Sequence, residues 1–346
     1  MRNNIIIALD IMSGDIGPSV TLPAALQALT SNPRLKLLLV GKTKIIQKLL
    51  KKANSEQISR IEIIHAEHIV LNNIKPLSAI RQSKETSMRI AIDLVKNGYA
   101  KACVSSGNTA VLIGLSKLML KLINGIKRPA LMTIIPNIKK KQTILLDLGA
   151  NINCTSEMLI QFAIMGSVVA EEIINIIKPK VALLNIGKEE NKGLDNIQKA
   201  AAILKKITSI NYIGYAEGDD LLIGKTDVLV CDGFIGNVLL KTMEGVIRVI
   251  FSFFKSTDKT TNNNYFIQLI KKILIKKITK HFFNLNPDQY NGAIILGLKN
   301  IVIKSHGSAN EKAFKSAIDY TIRIIQKQIP EKITDKLNIL SLRSIK

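Results

Sequence analysis

The sequence predicts an α/β protein whose mostly parallel sheet is covered by helices on both faces. Two observations predict it. Short Val/Ile/Leu runs, too short for buried helices, recur between helix-patterned segments, and four of them end in polar turns rich in Gly, Asp, Asn and Ser. Runs that are apolar throughout, rather than alternating, suit strands buried on both faces. The chain has 346 residues, 47% of them apolar, enough core for one α/β unit spanning 1–346.

In chain order, Ile5–Asp10 reads as the first strand, Met12–Pro18 as a polar loop and Pro23–Leu29 as a helix. Leu35–Val40 and Ile61–His65 are strands, with Lys44–Lys52 helical between them. Ser87–Asn97 is a helix and Ala102–Ser105 a strand, after which Ser105-Ser-Gly-Asn-Thr109 opens a helix over Ala110–Leu120. Thr143–Asp147 is a strand that turns through Leu148–Asn151 into a helix over Ser156–Ile177. Val181–Ile186 and Asn211–Tyr215 follow as strands. Asp227–Cys231 then runs into Asp232-Gly-Phe-Ile-Gly-Asn237, with a helix from Val238 for which Asn237 is the expected N-cap. A short apolar run from Ala293 to Gly297, the strand Ile301–Lys304 and a helix opened by Ser305–Asn310 complete the chain.

A strand, a glycine turn and a helix N-terminus together converge free N–H groups and the helix dipole on one point, which favours an anion. The turns after Asp10, Ser105, Asp147 and Asp232 are expected to share one edge of the sheet, where open parallel sheets hold ligands. None has the spacing of a dinucleotide GxGxxG or of a P-loop, so neither cofactor is supported. Cys103, Cys154 and Cys231 lie far apart with no CxxC, which argues for a reducing compartment and against structural zinc. No segment reads as a signal peptide or approaches the ~18–20 apolar residues of a membrane span, so a soluble cytoplasmic protein is expected.

Lys and Arg total 49 against 26 Asp and Glu, a net charge of +23 that suits nucleic acid, anionic lipid or an acidic protein. Aromatic residues at 4%, with no Trp, leave few platforms for stacking bases. The segment 246–283 reads as a basic helical hairpin projecting from the sheet, with Lys272, Lys276 and Lys280 forming one stripe opposite Ile270, Ile273, Leu274 and Ile278. Such a hairpin suits a membrane surface or a dimer contact, and equally an ordinary basic surface helix.

A set of segments in fixed order then carries a resemblance over essentially the whole chain. They are Asp10-Ile-Met-Ser-Gly-Asp15, Ser106-Gly-Asn-Thr109, Leu146-Asp-Leu-Gly-Ala-Asn151 and Asn185-Ile-Gly-Lys-Glu189. Asp232-Gly-Phe-Ile-Gly-Asn237, Asn286-Pro-Asp-Gln-Tyr-Asn-Gly-Ala293 and Val302-Ile-Lys-Ser-His-Gly307 complete the set. Together they resemble the PlsX family, the acyl-acyl-carrier-protein:phosphate acyltransferases of bacterial phospholipid synthesis. Ser13, Ser106 and Ala110 are small-for-small departures from that family's usual loops.

The resemblance implies a three-layer α/β/α fold related to the isocitrate and isopropylmalate dehydrogenases and the phosphotransacetylases, as a homodimer without metal or nucleotide cofactor. It implies attack of inorganic phosphate on a fatty acyl carrier protein thioester. That reaction needs a collected dianion, an oriented carbonyl and donors for the oxyanion. Lys192 and Asn237 are the expected central pair, with Asn108 and Asn151 as further donors, Asp232 as an orienting residue, and Lys304 with His306 as phosphate contacts. An acidic carrier protein suits the basic surface. A lipid-anion product suits peripheral membrane attachment beside a membrane glycerol-3-phosphate acyltransferase. The rival readings are a phosphotransacetylase-like enzyme using acyl-CoA, a dehydrogenase of the related fold, and a non-catalytic basic protein binding membrane or nucleic acid.

Overall fold

The computed structural model describes residues 4–71, 75–139, 141–257 and 291–343. The first part of the chain alternates β1 (Ile5–Asp10), α1 (Pro18–Ser31), β2 (Leu35–Gly41), α2 (Thr43–Leu50), α3 (Ser55–Ile58) and β3 (Ile61–His65). Next come α4 (Pro76–Arg81), α5 (Ser87–Lys96), β4 (Ala102–Ser105), α6 (Thr109–Leu120), β5 (Ala130–Pro136), β6 (Gln142–Leu146) and α7 (Ser156–Ile173). Then follow β7 (Lys180–Leu184), α8 (Asp195–Leu204), β8 (Asn211–Ala216), α9 (Asp220–Ile223), β9 (Val228–Val230) and α10 (Gly233–Thr257). β10 (Ala293–Leu296), β11 (Ile301–Lys304), α11 (Glu311–Gln326) and α12 (Ile329–Arg343) close the described chain.

These strands form one 11-stranded sheet in the order β3-β2-β1-β4-β11-β10-β5-β6-β9-β7-β8. Every pairing is parallel except the three that involve β5 or β10. The antiparallel centre reverses the sheet: β1–β5 and β11 run one way, and β6–β10 run the other. The sequence expectation of one shared edge is therefore corrected. The turns after β1 and β4 open at one end of the strands, and those after β6 and β9 at the opposite end. The strands are short, so the two sets of turns approach each other across β10 and β5.

Helices cover both faces and make three layers. Leu22, Phe162, Ala200 and Phe314 bring α1, α7, α8 and α11 onto one face. Met88, Val111 and Leu115 bring α5 and α6 onto the other, with Leu240 and Met243 of α10 beside them. β5 shows how one strand serves both layers: Ala130, Met132 and Ile134 face the first, and Leu131 and Ile135 the second.

Three sequence expectations change. Helix α1 begins at Pro18 rather than Pro23, because proline fits the first helical turn. Helix α10 begins at Gly233, four residues before Asn237, and Asp232 accepts the N–H of Ile235 at 2.9 Å. Asp232 is thus the side-chain cap, and Asn237 sits in the second turn. The expected first arm of the 246–283 hairpin is a continuation of this same helix, which runs 25 residues to Thr257. The rest of that hairpin, with Lys272, Lys276 and Lys280, lies outside the described residues. Among the described residues no helix is long and apolar enough to cross a membrane.

Candidate active site

A cavity of about 650 Å³ lies where the reversed halves of the sheet meet, between β5, β10, the end of β11 and α10. One wall is apolar. β5 gives Leu131 and Ile135, and α10 gives Leu240, Met243 and Ile247, which the i, i+3, i+7 spacing places on one helix face. The other end is polar, with the ammonium groups of Lys241 and Lys304 beside Asn237 and His306. Glu244 is the single carboxylate in the lining among the described residues.

Lys304 reaches this end from the last residue of β11. Its Nζ donates to the carbonyl oxygens of Ser106, at 3.3 Å, and Ser305. Burial, and then the Lys241 ammonium, bring its pKa down to about 8, against the partial support of Asp15 and Asp10. A lysine held in this way has few competing partners and accepts an anion at once.

Lys241 is one turn beyond Asn237. Its Nζ lies 2.9 Å from His306 Nε2 and 2.8 Å from Glu244. His306 Nδ1 lies 2.8 Å from Ser308 Oγ. The Ser308 N–H donates to the same Nδ1 at 3.2 Å while Lys241 approaches Nε2, so both ring nitrogens face donors, which disfavours the doubly protonated imidazolium. Burial and the Lys241 and Lys304 charges lower the His306 pKa, which favours the neutral form. Asn291 holds the turn: its Oδ1 accepts the His306 N–H at 2.9 Å, and its Nδ2 donates to Ser305 Oγ and the Ala313 carbonyl.

Among the expected site residues, the fold brings together Asn237, Lys304 and His306. Asn108 stands at the edge: its side chain caps α6 by accepting the Val111 N–H at 3.2 Å, while the next residue, Thr109, lines the cavity. Asn151 is committed elsewhere, its Nδ2 donating to the Pro129 carbonyl and to Asp147 Oδ2 at 2.8 Å each. Asp232 caps α10. Lys192 is exposed in the loop between β7 and α8, outside the lining, and its ammonium makes no ion pair among the described residues. β7 is the third strand from β5, with β6 and β9 between them. Lys241, Glu244 and Asn291 were not anticipated. The signal for Lys241 was its i+4 spacing from Asn237 along a helix.

Two departures from the usual family loops meet each other. Ser13 Oγ and Ser106 Oγ are 3.0 Å apart, and the Ser106 N–H donates to Ser13 Oγ at 3.0 Å. Serine in one loop is thus matched by serine in the other. The cysteines take no part in this chemistry. All three are buried, and burial, with nearby Asp147 and Asp232, pushes the Cys154 thiol up to about 12. Native protein is expected to stay unlabelled by a chromogenic disulfide reagent over minutes, and to expose three thiols in denaturant.

The sheet with helices on both faces makes the chain a three-layer α/β/α protein, a fold that solved structures share. It is similar to a phosphotransacetylase from Streptococcus pyogenes, at 19% identity over 93% of this chain and 94% of that one, with a TM-score of 0.62. The EutD phosphotransacetylase from Staphylococcus aureus matches at 17% identity over 95% and 94%, TM-score 0.59. A branched-chain phosphotransacylase from Enterococcus faecalis matches at 15% identity over 92% and 98%, TM-score 0.56. Residues 5–332 match the model of the fatty acid synthesis protein family, so the chain belongs to that family, the one its motifs resemble. It is a phosphate acyltransferase of lipid synthesis.

Proposed function

We propose that the chain transfers a fatty acyl group from acyl carrier protein to inorganic phosphate in the cavity between β5 and α10. The observation that supports this reading over a short-chain transacetylase is the apolar wall, which an acetyl group does not need. Lys304 and Lys241 collect the phosphate dianion, and the Asn237 amide faces the thioester carbonyl. A phosphate oxygen attacks the carbonyl carbon, so a C–O bond forms and the C–S bond breaks. The thiolate leaves and takes the proton that hydrogen phosphate brought. Phosphate is already a nucleophile at neutral pH and a thiolate leaves readily, so no Ser-His-Asp set is required. Stabilising the oxyanion is the main task left to the protein.

The experiment is phosphate-dependent thiol release, which the buried cysteines do not obscure. Each buried methylene contributes about 0.8 kcal/mol. Palmitoyl donors are therefore expected to exceed acetyl donors by at least ~10²-fold in kcat/KM. Equal rates with both would defeat the reading, and a preference for palmitoyl-CoA over the palmitoyl carrier would favour the acyl-CoA alternative. Asn237→Ala is expected to cost about 10–10²-fold in kcat. Lys192→Ala is expected to stay close to wild type, and its collapse would return Lys192 to the site.

The finer partners belong to the same proposal. A homodimer, an acidic carrier docking by charge, and attachment of segment 246–283 to an anionic membrane surface fit the +23 charge and the lipid-anion product. The acyl-phosphate would then pass to a membrane glycerol-3-phosphate acyltransferase. Changing Lys272, Lys276 and Lys280 to Glu is expected to abolish sedimentation with anionic liposomes, and unchanged sedimentation would remove the membrane role.

A further inference from the structure

A second cavity, of about 130 Å³, lies on the other side of the turn from Ser105 to Thr109. Asp10, Ser13 and Ser87 give the lining its polar groups, and Ile69, Val70, Leu71 and Met88 its apolar ones. Asp10 is fully buried at the end of β1, and its Oδ2 accepts the Ser105 hydroxyl at 2.7 Å. Burial raises the Asp10 pKa, the Ser87, Ser105 and Ser13 hydroxyls offset that only in part, and Oδ1 is buried without a hydrogen-bond partner among the described residues. A buried carboxylate oxygen left unpaired is costly, and so points to a ligand that brings a donor.

Two features indicate what that ligand is. A lining with both polar and apolar groups matches a chain in which amides alternate with methylenes, whereas a bare cation would leave Val70, Leu71 and Met88 unmatched. The second feature is position. Gly107 lines this cavity and Thr109 lines the large one, and between them the Ser106 carbonyl accepts from Lys304 while its N–H donates to Ser13 Oγ. A thioester seated at Lys304 with its acyl chain along α10 leaves its sulfur-bearing arm to be placed, and the Ser106–Gly107 turn that meets Lys304 also borders the small cavity.

We infer that the small cavity receives the amide-bearing pantetheine arm of the acyl donor, with Asp10 Oδ1 paired to an arm amide. The inference rests on the acyl-transfer reading. Burial raises the Asp10 pKa, and an amide suits either state of the carboxyl because it carries both an N–H and a C=O. The arm is common to carrier-protein and CoA donors, so the cavity reads the arm and not the body attached to it.

The test is isothermal titration of the full chain with pantetheine alone, which needs no turnover. Saturable binding is expected in wild type, at least fivefold weaker in Asp10→Asn, and absent in Val70→Phe, which fills the cavity from a loop without touching Asp10's structural bond. No binding by wild type, or equal affinity in all three proteins, would overturn the inference. Donor comparison separates the sources. The advantage of palmitoyl carrier protein and palmitoyl-CoA over a palmitoyl thioester of a simple alkanethiol is expected to shrink at least fivefold in Asp10→Asn. An unchanged advantage would sink the inference and leave the phosphate chemistry intact, whereas loss of phosphate dependence in wild type would sink the functional reading instead.

Discussion

Replacing Lys304 by methionine is expected to lower kcat/KM for phosphate by about 10²–10³-fold, the cost of removing one preorganised charge from a water-poor site. The side chain ends β11 inside the cavity, and among the described residues its ammonium is held only by the Ser106 and Ser305 carbonyls. Methionine keeps much of the stem and its packing. A lysine whose pKa has fallen to about 8 is charged at neutral pH against the pull of burial. Methionine is therefore expected to leave the melting temperature unchanged or raised, which a merely structural lysine would not do. The pH profile carries the same argument. Below about 8 the ammonium is present, and as pH rises through that value it is lost, so kcat/KM for phosphate is expected to fall on that limb. Bound phosphate favours the charged form, so the limb in kcat lies at higher pH. In Lys304→Arg the guanidinium stays charged, and the limb is expected to vanish from the accessible range. A profile unchanged in Lys304→Arg would assign the titration to another group.

The layered architecture was legible because buried parallel strands write themselves as unbroken apolar runs between turns. β1, β2, β4 and β11 fell close to their expected bounds for that reason. What periodicity does not report is direction. Nothing in Ala293–Gly297 says that the strand runs against its neighbours, so the reversal at β10 and β5, and with it the placing of the turns, was invisible. β5 itself went unread although Ala130-Leu-Met-Thr-Ile-Ile-Pro136 has Thr133 as its one hydroxyl-bearing residue, and it supplies one wall of the large cavity. Lysine shows the limit most plainly. Lys192 and Lys304 both lie at or after the end of a strand beside a glycine turn, and their place in the fold, not their local sequence, decides which one lines the cavity. Lys241 bore no motif at all and was visible only by its helical offset from Asn237.

Within α10, two glycines of one helix are expected to respond to alanine with opposite signs. A Cβ on Gly236 would lie 1.9 Å from the Asp147 carbonyl oxygen and 2.8 Å from Cys231 Sγ, both fixed groups of the sheet end. The Gly236 N–H donates to the Asp232 carbonyl at 2.9 Å and the Gly233 N–H to the Asn151 carbonyl at 2.7 Å, so the first turn of the helix rests directly on the Asp147–Asn151 turn. Alanine there must lift the helix, at a cost of about 3–5 kcal/mol in urea unfolding. The lift also carries Asn237 away from Gly149, where its Cβ now packs at 3.8 Å from an added methyl's position. Activity is thus expected to fall with stability, in contrast to Asn237→Ala, which removes the amide and leaves the packing. Gly245 lies two to three turns further along the same helix with no atom within 4 Å of an added Cβ. Alanine at that position meets nothing and restricts the unfolded chain, so it is expected to stabilise by about 0.5–1 kcal/mol. If both substitutions proved neutral, the close seating of α10 on the β6 turn would be wrong, and with it the position assigned to Asn237.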